Sequence, residues 1–168
     1  MTKKTLSMKE QHKRQMWKKI KVIRANWNNP SKLHSLLTNW ENEYSADYND
    51  LASELVSYHT RKAWAKIAEE EGNNTIDDLI DILWESLRRV GGEYTVEETT
   101  EGVQIYCTKC PIADSYLKIG KPHFGLIFHC ITDPHICEGF NPNIKFRRSK
   151  TLMNGDDCCD HHYSMKAP

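Results

Sequence analysis

Apolar residues in the first ninety positions recur three and four apart, the spacing of one face of an α-helix. Met16, Trp17, Ile20, Ile23 and Trp27 make one such stripe and predict a helix over 7–27, with Lys13, Arg14, Lys18, Lys19 and Lys21 mostly off it. Asn28-Asn29-Pro30 should end it, because proline lacks an N–H and restricts the residue before it. Ser31 is then placed to cap a second helix bearing Leu33, Leu36, Leu37 and Trp40. A third begins near Asp50, with Ala52, Val56, His59, Ala63 and Ile67 on one line. His59 on that line reads as a hydrogen-bonded core histidine. The clearest helix is 75–90. Thr75 and Asp78 form a capping-box pair, Ile76, Leu79, Ile80, Leu83, Leu87 and Val90 repeat at helical spacing, and Gly91-Gly92 closes it. This helix is expected to be the hydrophobic hub of the N-terminal half.

After Gly92 the period shortens. Residues 93–97 and 103–107 read as a hairpin around Thr99-Thr100-Glu101-Gly102, and 111–119 as a short helix closed by Gly120. Residues 124–131 read as helix continuing through Asp133 toward Phe140. Two more strands are expected at 144–150 and 158–164, with a turn at Asn154-Gly155-Asp156 between them. The predicted fold class is α+β: an N-terminal helical layer packed on a small C-terminal antiparallel β-sheet with short helices. The expected organisation is a basic arm over 1–30 and one domain over 31–168, helical to 91 and sheet-forming from 92.

Charge is uneven. The chain has zero net charge, yet residues 1–24 carry nine Lys or Arg against the single acid Glu10, leaving an equal negative excess elsewhere. Docking of this arm on the acidic body of its own chain, or of a second subunit in a homo-oligomer, is favoured over nucleic-acid binding, since no recognition motif accompanies the charge. No apolar run is long enough for a membrane span, and the N-terminus has no apolar signal region, so a cytoplasmic protein without membrane partners is expected.

Chemistry concentrates late. All six cysteines and five of the eight histidines lie between Cys107 and Tyr163. In a reducing compartment such cysteines serve more often as ligands, nucleophiles or core fillers than as disulfides. Cys107-Thr-Lys-Cys110-Pro111 puts Cys110 just before a helix start, where free N–H groups would favour its thiolate. Cys130 and Asp133 stand one helical turn apart. Cys159 and Asp160 alternate on a strand, so only one of them can share a pocket with Cys130. His161-His162 reads as one exposed and one half-buried residue.

The order Cys110-Pro111, Gly125-Leu-Ile-Phe-His-Cys130-Ile-Thr-Asp133, Phe140-Asn141-Pro142, Phe146-Arg147-Arg148-Ser149-Lys150-Thr151-Leu152 and Gly155-Asp-Asp-Cys-Cys159-Asp160 resembles the L-2-amino-thiazoline-4-carboxylic acid hydrolase family. His161 stands where that family usually has an aromatic residue. A fainter similarity is to 4-vinyl-reductase-type ligand-binding domains, but Arg148 and Thr151 occupy the positions of their metal-binding Glu-x-x-Cys. The resemblance implies hydrolytic opening of a cyclic amidine to an N-carbamoyl amino acid, by a hydrolase acting on a cyclic carbon–nitrogen bond. It points to Cys110, Cys130, Asp133, Cys159 and Asp160 as catalytic candidates. Arg147, Arg148 or Lys150 are candidates to hold a substrate carboxylate, with Thr151 and Asn141 as further binding candidates. An alternative set, Cys110, Cys130, Cys159 and His129, would hold a divalent metal such as zinc whose bound water attacks. A non-catalytic sensor of a small ligand or metal, using the same cysteines, also stays open.

Overall fold

Ser7 begins the first helix with a reciprocal cap: its hydroxyl accepts from the Glu10 N–H, and the Glu10 carboxylate accepts from the Ser7 N–H. The computed structural model describes residues 7–167, so Lys3 and Lys4 of the basic stretch lie outside it. Helix α1 (Met8–Ala25) buries Met16, Ile20 and Ile23, while Trp17 and Trp27 are half-buried. Helix α2 (Pro30–Glu43) is capped by Asn29 rather than Ser31: the Asn29 side chain accepts from the Lys32 N–H, 3.1 Å away. Pro30 then takes a first-turn position that needs no donor, which moves the cap two residues earlier than the Ser31 reading. Lys19 of α1 pairs with Glu43 of α2 on the surface.

Helix α3 (Asn49–Glu71) crosses the whole molecule. Its buried residues run Ala52, Leu55, Val56, Thr60 and Ala68, and Ala63 is exposed. His59 is not a hydrogen-bonded core residue but a half-exposed ring stacked on Trp17, with centroids 3.9 Å apart and planes 5° from parallel. The apolar line of α3 drifts around the helix because 3.6 residues per turn does not match a strict three-four repeat over six turns.

Helix α4 (Ile76–Arg89) has the Thr75–Asp78 capping box. It is not the hub, however. Leu79, Ile80 and Trp84 are buried, Leu83 and Leu87 only half so, and Val90 is 47% exposed. Strong periodicity marks an apolar face without saying what covers it; part of this face lines a cavity. The central position belongs to α3, which contributes Ala52, Leu55 and Val56 to one apolar core and Ala68 to the other.

Strands β1 (Glu93–Thr99), β2 (Gly102–Lys109), β3 (Ile144–Arg147) and β4 (Cys159–Met165) form one antiparallel sheet in the order β1-β2-β4-β3. Short helices separate them: α5 (Pro111–Lys118), α6 (Pro122–Gly125) and α7 (Thr132–Phe140). Between α6 and α7 the chain stays helical through a wide π turn over Leu126–Cys130, a departure often found at functional sites. The fold is therefore α+β, with a helical layer on one face of the sheet. Helix α7 packs closely on α3 because Gly139 has no side chain; a Cβ there would overlap the Arg61 carbonyl oxygen.

Two apolar cores result. One gathers α1, α2, α3, α5 and the α6 region around Leu37, Tyr116 and Phe128. The other gathers α4, α7 and the sheet around Leu79, Phe140 and Tyr163. Cys110 and Leu152 pack against both, which places them at the seam.

Candidate active site

At that seam lies a cavity of about 490 Å³, within the size range of small-molecule sites. Its apolar walls include Trp27, Trp64, Leu83, Trp84, Leu87 and Ile136. Into it face four thiols (Cys107, Cys110, Cys130 and Cys159) together with Asp133, His129, His161, Arg148 and Arg24. Of the residues singled out from sequence, Cys110, Cys130, Asp133, Cys159, Arg148 and His129 are thus brought to one hollow.

Strand pairing puts Cys159 directly opposite Cys107 and His161 opposite Ile105 across the β2–β4 ladder. Cys159, His161 and Tyr163 alternate onto the helix-covered face. Asp160 faces the other way. Its carboxylate accepts from the backbone N–H of Ser149, 2.8 Å away, from the N–H of Lys150, and from the Ser149 hydroxyl. Although burial works to raise its pKa, these donors hold it below the usual range. Asp160 therefore fastens the turn before β4 and, of the catalytic candidates, is the one that does not line the cavity.

The binding candidates divide similarly. Arg147 lies on the surface near Glu101 and His162, and Lys150 pairs with Asp157, 2.9 Å away. Asn141 donates to the Asn74 carbonyl at 2.8 Å. None of these three lines the cavity. Thr151 is buried beside it, with Oγ1 3.6 Å from Cys159 Sγ. Arg148 reaches inward instead and forms an ion pair with Asp133. Arg147 ends β3 and Arg148 follows it, and the two side chains part, Arg147 to the surface and Arg148 into the cavity.

The thiols differ sharply. Cys159 is held down to about 6, first by the Cys107 thiol opposite it on β2, against burial, and further by the Leu152 N–H at 3.3 Å, Thr151 and Arg148. The single Cys107 proton has two acceptors in reach, the Cys159 sulfur and the Lys109 carbonyl 3.3 Å away. Once Cys159 ionises, the charged sulfur is the stronger acceptor. Supporting that charge raises the Cys107 thiol well above its usual range, as burial does too. Burial pushes Cys130 up to about 12. Cys110 is also raised by burial, which outweighs the Ala113 and Ile112 N–H groups at the start of α5. The helix terminus that favours a Cys110 thiolate is present, but desolvation is larger. All six cysteines are free thiols.

His161 is the residue least visible in the sequence. Both His161 and His162 are buried, contrary to the half-exposed pattern expected for a polar pair. The His161 ring sits against Trp84 and Phe146, and neither of its nitrogens has a hydrogen-bond partner. Nε2 comes within 3.5 Å of Asp133 Oδ2, close enough for attraction but not a hydrogen bond. Burial lowers the pKa of His161, so the ring is neutral at pH 7. Burial also raises that of Asp133, opposed by His161 and Arg148. Unpartnered buried nitrogens carry a desolvation cost that a ligand would relieve.

His129 is spoken for: its Nε2 lies 3.2 Å from the Tyr116 hydroxyl, and burial drops its pKa to about 3. Among the described residues no group of three or more His, Cys, Asp or Glu side chains is arranged to hold a metal ion. Cys110, Cys130, Cys159 and His129 share the cavity without forming such a ligand set. No helix among the described residues is long and apolar enough to cross a membrane.

No curated protein matches this chain. Its fold is similar to the crystal structure of a trafficking protein particle complex subunit 3 from Naegleria fowleri covalently bound to palmitic acid. The two are 13% identical with a TM-score of 0.50, covering 86% of this chain and 97% of that one. The model of the L-2-amino-thiazoline-4-carboxylic acid hydrolases matches residues 31–163, a span that contains all four cavity thiols, Asp133, Arg148 and His161, and the chain belongs to that family.

Proposed function

We propose that the chain is a hydrolase that opens a small cyclic amidine of the 2-amino-thiazoline-4-carboxylate type to an N-carbamoyl amino acid, with Cys159 as nucleophile. One observation carries this reading: a thiol favoured as thiolate at neutral pH faces the same walled cavity as an unpartnered neutral histidine and an Arg–Asp pair. A lowered pKa and a shielded approach are what a cysteine nucleophile needs.

The product keeps both carbon–nitrogen bonds of the amidine, so the ring bond that breaks runs from the amidine carbon to sulfur. The Cys159 sulfur bonds to that carbon, the ring carbon–sulfur bond breaks, and the departing sulfur takes the amidinium proton. Water then attacks the same carbon. His161 takes one water proton and returns it to the adduct nitrogen, while Asp133 stabilises the transient imidazolium. Cys159 leaves as thiolate, the second water proton is released, and one water has been gained. Arg148 keeps Asp133 ionised against its burial.

Incubation with 2-amino-thiazoline-4-carboxylate, followed by mass spectrometry for a gain of one water, tests the reading. Wild-type protein should convert it and Cys159→Ala should not; no conversion of this or related cyclic amidines would end it.

A second reading is favoured by the apolar walls around the thiolate. The Naegleria fowleri subunit carries palmitic acid covalently, and an acyl thioester on Cys159 would make this chain a binding module instead. Intact mass before and after neutral hydroxylamine decides: an acyl-sized mass lost on treatment supports that module, and an unmodified chain removes it.

A further inference from the structure

Helix α1 lies before the matched family span, yet its Arg24, and Trp27 in the turn that follows it, line the cavity. Arg24 sits in the last turn of α1, among surface lysines that point away. Its Nε is buried without a hydrogen-bond partner, and no carboxylate pairs with it among the described residues. Arg148, the other cavity guanidinium, is committed to Asp133. The remaining polar neighbours offer Arg24 little: His129 is neutral and Tyr116 is a phenol whose burial keeps it protonated. Arg24 is partly buried, and desolvation works against its charge; a guanidinium drawn out of water is destabilising unless something anionic joins it. The anionic groups of the cavity, Asp133 and the Cys159 thiolate, lie with Arg148, which leaves the positive charge at the α1 wall without a partner of its own.

We infer that Arg24 is the anchor for the substrate carboxylate, so that α1 completes the binding site and selects acids over their neutral counterparts. This rests on the cyclic-amidine reading for the identity of the acid, but not for the anchoring itself. A guanidinium offers a carboxylate two parallel N–H donors, and Trp27, one turn on, gives the ring of the ligand an apolar wall. Arg147 and Lys150, which the sequence offers for this task, lie outside the cavity. Arg148 could take it only by releasing Asp133.

The test measures binding apart from turnover. Quenching of tryptophan fluorescence, with Trp27, Trp64 and Trp84 on the cavity wall, reports occupancy by 2-amino-thiazoline-4-carboxylate and by its methyl ester. Cys159→Ala serves as the background, so that no reaction intervenes. The acid should bind about 10- to 100-fold more tightly than the ester. Arg24→Gln should remove that preference while leaving ester binding unchanged, and Arg24→Lys should restore part of it. A merely structural role for Arg24 would weaken both ligands alike. Equal binding of acid and ester, or no binding of the acid, overturns the inference without any variant. An Arg24→Gln protein that keeps the preference overturns it as well. Binding with the stated preference but no wild-type turnover would sink the hydrolase and leave the anchor; turnover with an unchanged preference in Arg24→Gln would do the reverse.

Discussion

Replacing Cys107 with alanine removes the S–H that does most to hold Cys159 ionised. A hydrogen bond to a charged group is worth about 1.5–3 kcal/mol, and about 1.4 kcal/mol corresponds to one pH unit. The Cys159 pKa should therefore rise by about one to two pH units from its value of about 6. At pH 6 the thiolate fraction would drop from about one half to roughly 1–10%. A thiolate of higher pKa is also a better nucleophile, with a Brønsted slope of about 0.4–0.5, which partly offsets the loss. The two effects combine into a reversal: the variant should react with 4,4′-dithiodipyridine about 2- to 8-fold more slowly than wild type at pH 6, and about 3- to 9-fold faster at pH 9. Stopped-flow absorbance gives the rates, and peptide mass mapping assigns them to Cys159. The sign follows from the direction of the shift. A depressed pKa keeps the thiolate above about pH 6 and loses it below. Rates that change in the same direction at both pH values, or a midpoint that stays near 6, would refute the role given to Cys107.

Other outcomes follow from the same geometry. Arg148→Met strands the Asp133 carboxylate, both side chains being less than a fifth exposed, and should cost about 3–5 kcal/mol of stability at neutral pH. Burial already sets the pKa of Asp133 above its unfolded value and loss of Arg148 raises it further, so the deficit should shrink as pH falls and the carboxyl protonates; urea titrations from pH 7 to pH 4 check this, and a pH-independent deficit would count against it. His161→Phe should lower kcat by about 10²–10⁴-fold with little change in folding stability; near-normal kcat would remove His161 from the proton-transfer role. Gly139→Ala should destabilise by about 1–3 kcal/mol despite a better helix propensity, because the added methyl meets the Arg61 backbone; a stabilised variant, seen as a higher urea midpoint, would show that α3 and α7 can separate without loss.

Periodicity located nearly every element, because alternation and helical spacing are local properties. What each face meets is not local. The stripe of α4 signalled an amphipathic helix, but nothing in Leu83, Leu87 or Val90 says that they line a cavity instead of a core. Strand alternation required Cys159 and Asp160 to diverge; only the side on which the helices pack decides that Cys159 goes inward, and Arg148 turns in just past the end of β3. Cys110 shows two opposing effects of similar origin, helix-terminal N–H groups and desolvation, whose balance needs burial to be known. Arg24 was one of nine basic residues in a charged stretch, and no spacing rule marks it as one that reaches the cavity. The π turn over Leu126–Cys130, which brings His129 and Cys130 to the cavity, has no evident local signal either.

The most direct test of Cys159 as nucleophile is a rapid-quench experiment with 2-amino-thiazoline-4-carboxylate, followed by digestion and mass mapping of the cysteines. A substrate-derived adduct on Cys159 that forms and decays within the turnover time is expected, with none on Cys110 or Cys130 and no turnover by Cys159→Ala. Turnover by Cys159→Ala at the wild-type rate, or an adduct confined to another thiol, would contradict it.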